Sequence, residues 1–117
     1  MNPKHGLLES IILNALWELE KTGMYKNSVK DVYDHINASS AENRAYTTIK
    51  TVMDRMHEKE MLLRIKQGKK FYYRTNYSCF DIIKESLAKI ASHYCDGNMV
   101  KLLRVAQGIC EKESVLI

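Results

Sequence analysis

Side chains that can donate hydrogen bonds or carry positive charge are concentrated in one short stretch of this chain, between residues 44 and 55. On a helix that turns by about 100° per residue, one side of this stretch collects Arg44, Thr47, Lys50, Thr51 and Arg55. Hydroxyl and cationic groups of this kind contact phosphate oxygens and base edges. The other side is apolar and consists of Ile49, Val52, Met53 and Met56. The pattern predicts a packed helix whose polar face is either a nucleic-acid reader or an ordinary solvated surface.

A predicted β-hairpin follows this helix directly. Residues 62–66 and 71–74 alternate in hydrophobicity, and the turn between them contains Gly68, which can take a positive φ. The alternation predicts an inner face formed by Leu63, Ile65, Phe71 and Tyr73. The outer positions and the tip are predicted to carry Arg64, Lys66, Lys69, Lys70 and Arg74. A helix followed by a cationic hairpin, or wing, has the order of a winged helix-turn-helix and favours DNA binding over a solvated surface.

The positive charge of the chain is concentrated in the same region. Over all 117 residues the formal net charge is +4. Residues 43–74 contain nine lysines and arginines against three acidic residues, whereas the remainder contains nine against eleven. A localised excess of positive charge is expected of a phosphate-binding surface. An acidic protein or lipid headgroups could meet the same charge, but the sequence has no basic amphipathic helix of the membrane type. Double-stranded DNA is therefore the predicted partner.

Further amphipathic helices are predicted on both sides of this region. Residues 7–22 and 28–36 carry apolar side chains at helical spacing, which predicts a mainly α (α+β) fold with a winged helix-turn-helix DNA-binding domain over residues 1–77. Residues 78–117 contain two more amphipathic helices that have little left to pack on within one chain. They are predicted to form a helical dimerisation segment. Its interface is predicted to include Phe80, Ile83, Leu87, Ile90, Tyr94, Leu102, Leu103 and Ile109.

Two local signals refine the predicted fold in the part of the chain that precedes the helix of residues 44–59. Ser28 and Asp31 have the spacing of a capping box, which predicts a helix start at this point. The connector before it, residues 24–27, is predicted to pair with the wing through a single bridge.

The sequence gives little support to an enzyme. It has no glycine-rich phosphate loop and no paired-carboxylate site, and the three cysteines (Cys79, Cys95 and Cys110) are widely spaced. We predict reduced thiols, no cofactor and no metal. A metal- or redox-responsive regulator that uses these Cys and His residues is the alternative, and Cys79, His93, Cys95 and Asp96 could meet across a dimer to bind a metal such as zinc. The sequence has no apolar run long enough to span a membrane and starts without a signal-peptide core, so a cytoplasmic location is expected.

Three motifs together resemble the penicillinase-repressor family of winged-helix transcriptional repressors. The first is the run from Ala45 to Lys59, which contains the pattern Tyr-x-Thr-Ile-x-Thr. The second comprises Leu62-Leu63-Arg64 and the Tyr-x-Tyr-bearing stretch Gly68–Tyr73, and the third is a Leu-Trp-Glu triplet at residues 16–18. The resemblance covers roughly residues 7–78. It implies a sequence-specific repressor that binds a palindromic operator as a homodimer, with Thr47, Thr48, Lys50 and Thr51 in the reading positions.

The complete predicted DNA-binding set combines the residue pattern with the resemblance. It consists of Arg44, Tyr46, Thr47, Thr48, Lys50, Thr51, Arg55, Arg64, Lys66, Lys69, Lys70 and Arg74. A winged domain used for protein–protein contact remains the alternative from another functional class. The chain departs from the family in three respects: Glu60 replaces a usual glycine, no Asn-Phe cleavage sequence occurs, and no Cys-x-Cys motif occurs. The resemblance therefore extends to DNA binding and identifies neither an inducing signal nor a sensor or protease partner.

Overall fold

The computed structural model describes residues 3–39 and 43–116, and the chain divides into two compact units, Met1–Ser78 and Cys79–Ile117. The described elements of the first unit are helices α1 (Pro3–Lys21), α2 (Val29–Ser39) and α3 (Tyr46–Glu58) and strands β1 (Leu62–Gln67) and β2 (Lys70–Thr75). Those of the second unit are helices α4 (Cys79–Tyr94) and α5 (Met99–Leu116). This mainly helical chain with one small antiparallel sheet confirms the predicted fold class.

The core of the first unit lies where its three helices meet. Each helix has a helical-period row of apolar side chains, and burial of these rows removes apolar surface from water. The buried set includes Ile12 and Leu16 of α1, Val32 and Ile36 of α2, and Ile49, Val52, Met53 and Met56 of α3. The predicted inner face of α3 is thus confirmed. The polar side of the same helix is left exposed.

Backbone geometry fixes the ends of the helices that carry the polar face. At the start of α2 the Ser28 hydroxyl accepts from the Asp31 amide at 3.1 Å, and the Asp31 carboxylate accepts from the Ser28 amide at 2.9 Å, which confirms the capping box. At the end of α3 the Glu60 amide donates to His57 and the Met61 amide donates to Met56. This is a Schellman motif, and it places Glu60 at φ 63°, a left-handed conformation that ordinarily favours glycine.

The wing differs from its sequence prediction in one respect, the face of β1. In the observed register Arg64 pairs with Tyr73 and Lys66 pairs with Phe71, so these four side chains share a face. Tyr73 is buried, and this face therefore turns inward. The prediction that Leu63 and Ile65 lie inside and Arg64 outside is wrong, whereas Lys66 shares the face of Arg64 but is exposed, as predicted. Leu63 and Ile65 lie on the outer face, where they are 38% and 47% exposed.

Contacts from α1 and from the connector before α2 attach the wing, and the segment that follows it, to the helical core. Asn27, in the connector before α2, pairs with Tyr73 through two main-chain hydrogen bonds of 3.2 and 2.8 Å, which confirms the predicted single bridge. The Glu20 carboxylate of α1 accepts hydrogen bonds from the amide and hydroxyl of Thr75 at 2.9 and 2.6 Å. The Trp17 indole donates to the carbonyl of Tyr77 at 3.1 Å. These contacts matter because an isolated two-stranded hairpin is marginally stable in water.

The second unit consists of α4 and α5, which pack on each other. Ala91 and Cys95 are buried near the turn between the helices. Within the single chain, large apolar side chains of both helices remain exposed, including Phe80 at 72% and Tyr94 at 78%. None of the helices in the described part of the chain is both long enough and apolar enough to cross a membrane.

Candidate nucleic-acid interface

The exposed side of α3 carries the hydroxyl and cationic groups that the sequence predicts. Thr47, Thr48, Lys50, Thr51 and Arg55 are all exposed, and the apolar side chains between them pack into the core. The residue before the helix is Ala45, whose methyl side chain cannot accept a hydrogen bond from the first helical amides. The polar face of α3 therefore offers hydrogen-bond donors towards its N-terminal end.

The entry into α3 is fixed by a residue that the sequence interpretation did not identify. The Asn37 side chain of α2 accepts from the Arg44 amide at 2.9 Å and donates to the Arg44 carbonyl at 3.2 Å. Next to this clamp, the rings of Tyr33 and Tyr46 meet edge to face with centroids 5.7 Å apart. The signal available in the sequence was only that Asn favours turns and local main-chain hydrogen bonds. Arg44 and Tyr46 are thus held by α2, and Tyr46 is 40% exposed.

A cleft of about 710 Å³ lies between the start of α2, the side of α3 and the wing. It brings four of the predicted cations together, namely Lys50 of α3 with Arg64, Lys69 and Lys70 of the wing. Lys30 of α2 also lines the cleft and was not predicted. Its ammonium lies 3.0 Å from the Asp34 carboxylate, and this hydrogen bond and charge raise the pKa of Lys30 above its usual value. The cleft is therefore predominantly cationic.

Not all of the predicted residues face this cleft. Thr47, Thr48, Thr51 and Arg55 lie on the part of α3 that does not line it. Arg74 is exposed in β2 and shares the outer face of the wing with Leu63, its partner in the register. Lys66 is exposed on the opposite face, and its ammonium lies 5.7 Å from the centre of the Phe71 ring. The predicted set is thus divided between the outer side of α3, the cleft and further positions on the wing.

One carboxylate on α3 contacts both strands of the wing. Asp54 Oδ1 accepts a hydrogen bond from the Tyr73 hydroxyl at 3.2 Å and lies 3.5 Å from Arg64 Nη1. The Arg64 guanidinium also stacks over Phe71, 4.2 Å from the ring centre. Burial is the main cause that raises the pKa of Tyr73 above its usual value, so its hydroxyl keeps the proton that it donates to Asp54.

The three cysteines belong to the second unit. Cys79 and Cys110 are exposed and Cys95 is buried. Within the described part of the single chain, no three His, Cys, Asp or Glu side chains come together as a metal site would require. The alternative of a metal-responsive regulator therefore gains no support from the geometry of one chain.

Comparison with known proteins gives one family. A family model described as Penicillinase repressor matches residues 5–108, a range that includes most of α1, all of α2, α3 and the wing, and most of the second unit. A search of curated proteins gave no match.

Proposed function

Because the chain belongs to the penicillinase-repressor family, whose members are DNA-binding transcriptional repressors, we propose that it represses transcription as a homodimer bound to an inverted-repeat operator. The observation that carries this proposal is the position of the exposed donor face of α3 beside a cationic wing tip. A helix packed on one side and lined with donors on the other has the dimensions to enter the major groove. We also propose a cytoplasmic location.

The contacts in the proposed complex divide into base reading and backbone positioning. Thr47, Thr48, Lys50 and Thr51 are the proposed reading residues, because they lie on the exposed side of α3 and carry groups that can contact base edges. The cations around them are proposed to contact phosphates and set the register on the duplex. This second set consists of Arg44, Arg55, Lys66, Lys69, Lys70 and Arg74, with Tyr46 beside them at the start of α3.

The proposed dimer rests on the exposed apolar faces of the second unit. Along α4 the large apolar side chains recur at alternating intervals of three and four residues, which is the spacing of a coiled-coil seam. The seam consists of Phe80, Ile83, Leu87, Ile90 and Tyr94, all exposed in the single chain. Helix α5 adds the exposed Leu103 and Ile109 and the half-buried Leu102. A second copy would cover these side chains, and its two-fold symmetry would match an inverted repeat.

Selection of bound DNA from a random pool with the full chain tests this proposal. We expect an inverted repeat whose half-sites lie about 10 base pairs or a multiple of that apart. Titrations of the recovered operator and of random DNA should then show an affinity ratio on the order of 10³ or more. Recovery of no common sequence would contradict sequence-specific repression, and recovery of a single half-site would contradict binding as a symmetric dimer.

A protein–protein contact domain is the second candidate, and one observation favours it. Leu63 and Ile65 expose apolar surface on the outer face of the wing, and these side chains do not contribute to the buried core. Retention of the chain on heparin with steep salt elution would favour DNA. Weak retention that is unaffected by salt, together with loss of a protein partner in a Leu63→Ser/Ile65→Ser variant, would favour this second candidate.

A further inference from the structure

We infer that Asp54 and Arg64 form a positioning pair that holds the wing against α3 and thereby increases discrimination between operator and other DNA. The inference rests on the proposed function. The sequence predicts a direct DNA contact for Arg64, whereas its geometry points to an indirect role. Three features of the pair carry the inference: its place between two DNA-facing elements, its charge balance and the fixed orientation of the guanidinium.

The first feature is that Asp54 connects α3 to both strands of the wing. Its carboxylate lies 3.5 Å from Arg64 of β1 and accepts from Tyr73 of β2 at 3.2 Å. Arg64 and Tyr73 are partners in the strand register. A single carboxylate therefore fixes one rung of the hairpin to the helix that is proposed to enter the major groove. Lys69 and Lys70 lie at the other end of the same short hairpin, so their distance from α3 depends on this contact.

The second feature is the charge of Asp54. It follows Lys50 by one helical turn and lines the same cleft, so an unpaired carboxylate there would repel the phosphates of a bound duplex. Its side chain is 41% exposed and that of Arg64 is 26% exposed, and partly exposed ion pairs contribute little to folding stability. The pair neutralises both charges at the interface. Its benefit is therefore placement of the wing rather than attraction to DNA or stability of the fold.

The third feature is that Arg64 is held on two sides. The carboxylate of Asp54 lies 3.5 Å from its guanidinium, and the ring of Phe71 lies beneath it with a centroid distance of 4.2 Å. A planar guanidinium can make both contacts at once, whereas a lysine ammonium cannot reproduce the stacked geometry. Phe71 is adjacent to Lys70, so the stack extends the connection from α3 almost to the wing tip. Specific binding needs the helix and the wing in register together, whereas random DNA tolerates either contact alone.

Binding titrations of full-length variants on the selected operator and on random DNA test the inference. For Asp54→Asn we expect the operator-to-random affinity ratio to fall at least about fivefold, without any loss of affinity for random DNA, because a negative charge is removed. Arg64→Lys keeps the charge and should lower the ratio by a similar factor. The double variant should lower it no further than either single variant, because the two residues act as one unit.

A matched control and a stability measurement complete the design. Glu85→Gln removes the same charge from another exposed ion pair, with Lys89 on α4, and should leave the ratio unchanged within about twofold. Thermal unfolding of each variant, including Arg64→Lys, reports any change that is merely structural. If the wild-type chain and the Asp54→Asn variant discriminate equally well between operator and random DNA, this inference is overturned and the proposed function stands. If Arg64→Lys keeps the full operator-to-random ratio, the role of Arg64 is a simple phosphate contact and not the positioning of the wing. A wild-type chain that does not discriminate would overturn the proposed function and this inference with it.

Discussion

The hydroxyl of Thr51 donates a hydrogen bond to the main-chain carbonyl of Thr47, 2.8 Å away and one turn earlier on α3. Both residues are exposed on the proposed reading face. Because the hydroxyl hydrogen is already used within the helix, Thr51 can offer a base edge its oxygen lone pairs and its methyl group. A donor on adenine or cytosine, or the methyl group of thymine, suits these groups.

Replacement of Thr51 by Ala should therefore reduce binding to the operator by about 1–3 kcal/mol, with a much smaller loss on random DNA. Titrations on the two DNAs measure the difference. Thr22→Ala is a matched control, because Thr22 makes the same kind of bond to the carbonyl of Leu19 but lies at the end of α1. Full discrimination by the Thr51→Ala protein would show that this position does not read a base.

Lys69 and Lys70 at the wing tip should act on phosphates. Their joint replacement by Ala should weaken binding about equally on operator and random DNA, and should make the log–log salt dependence shallower by about 1–2 units. The double variant Lys21→Ala/Lys89→Ala removes the same charge from exposed sites in α1 and α4 and serves as the control. A loss confined to the operator would mean that the wing reads sequence.

The exposed seam of α4 should hold the dimer together. Sedimentation of the full chain at micromolar concentration should give a dimer. Ile83→Glu should shift it towards a monomer, because a charge buried in an apolar interface costs several kcal/mol. Ser92→Glu adds the same charge to an exposed position outside the seam and should leave the dimer intact. A monomeric wild-type chain would be the contrary result.

Glu60 offers a test of the helix end that precedes the wing. Its φ of 63° is strained for a residue with a Cβ, so Glu60→Gly should raise the free energy of unfolding by about 1 kcal/mol. The same substitution two residues earlier, Glu58→Gly, lies within α3 and should lower it by about 1 kcal/mol. Denaturant unfolding of the three proteins measures both effects. A destabilised Glu60→Gly protein would mean that the Glu60 side chain compensates for the strained backbone.

The helices could be predicted from the sequence because their apolar side chains recur at a period that only a helix places on one side. The four apolar residues of α3 and the capping box of α2 are examples, since each signal lies within a few neighbouring residues. The face of β1 could not be predicted in this way. Period-2 alternation separates two faces but does not say which one is buried. The polar Arg64 turns inward because it meets Asp54 there. Asp54 lies on another element, so no pattern within the strand indicates this contact.

The candidate site, like the fold, could be predicted from the sequence only where the signal is local. Exposure of the predicted hydroxyls and cations on α3 follows from the helical period. The contribution of α2 does not, because Asn37 reaches Arg44 and Lys30 enters the cleft only after the helices have packed. Their roles depend on tertiary contacts for which a single sequence has no local pattern. The DNA contacts themselves remain predictions.

The bridge between Asn27 and Tyr73 has a consequence for the order in which the chain folds. The two strands of the hairpin are neighbours in sequence and can pair locally, but Asn27 is separated from Tyr73 by α2, α3 and β1. Closing so long a loop costs chain entropy that only prior collapse of the intervening helices can offset. We therefore expect the hairpin to become stable only when it docks on the collapsed helices. A wing that is the last element to lock into place is also the first to be released when the native state opens locally.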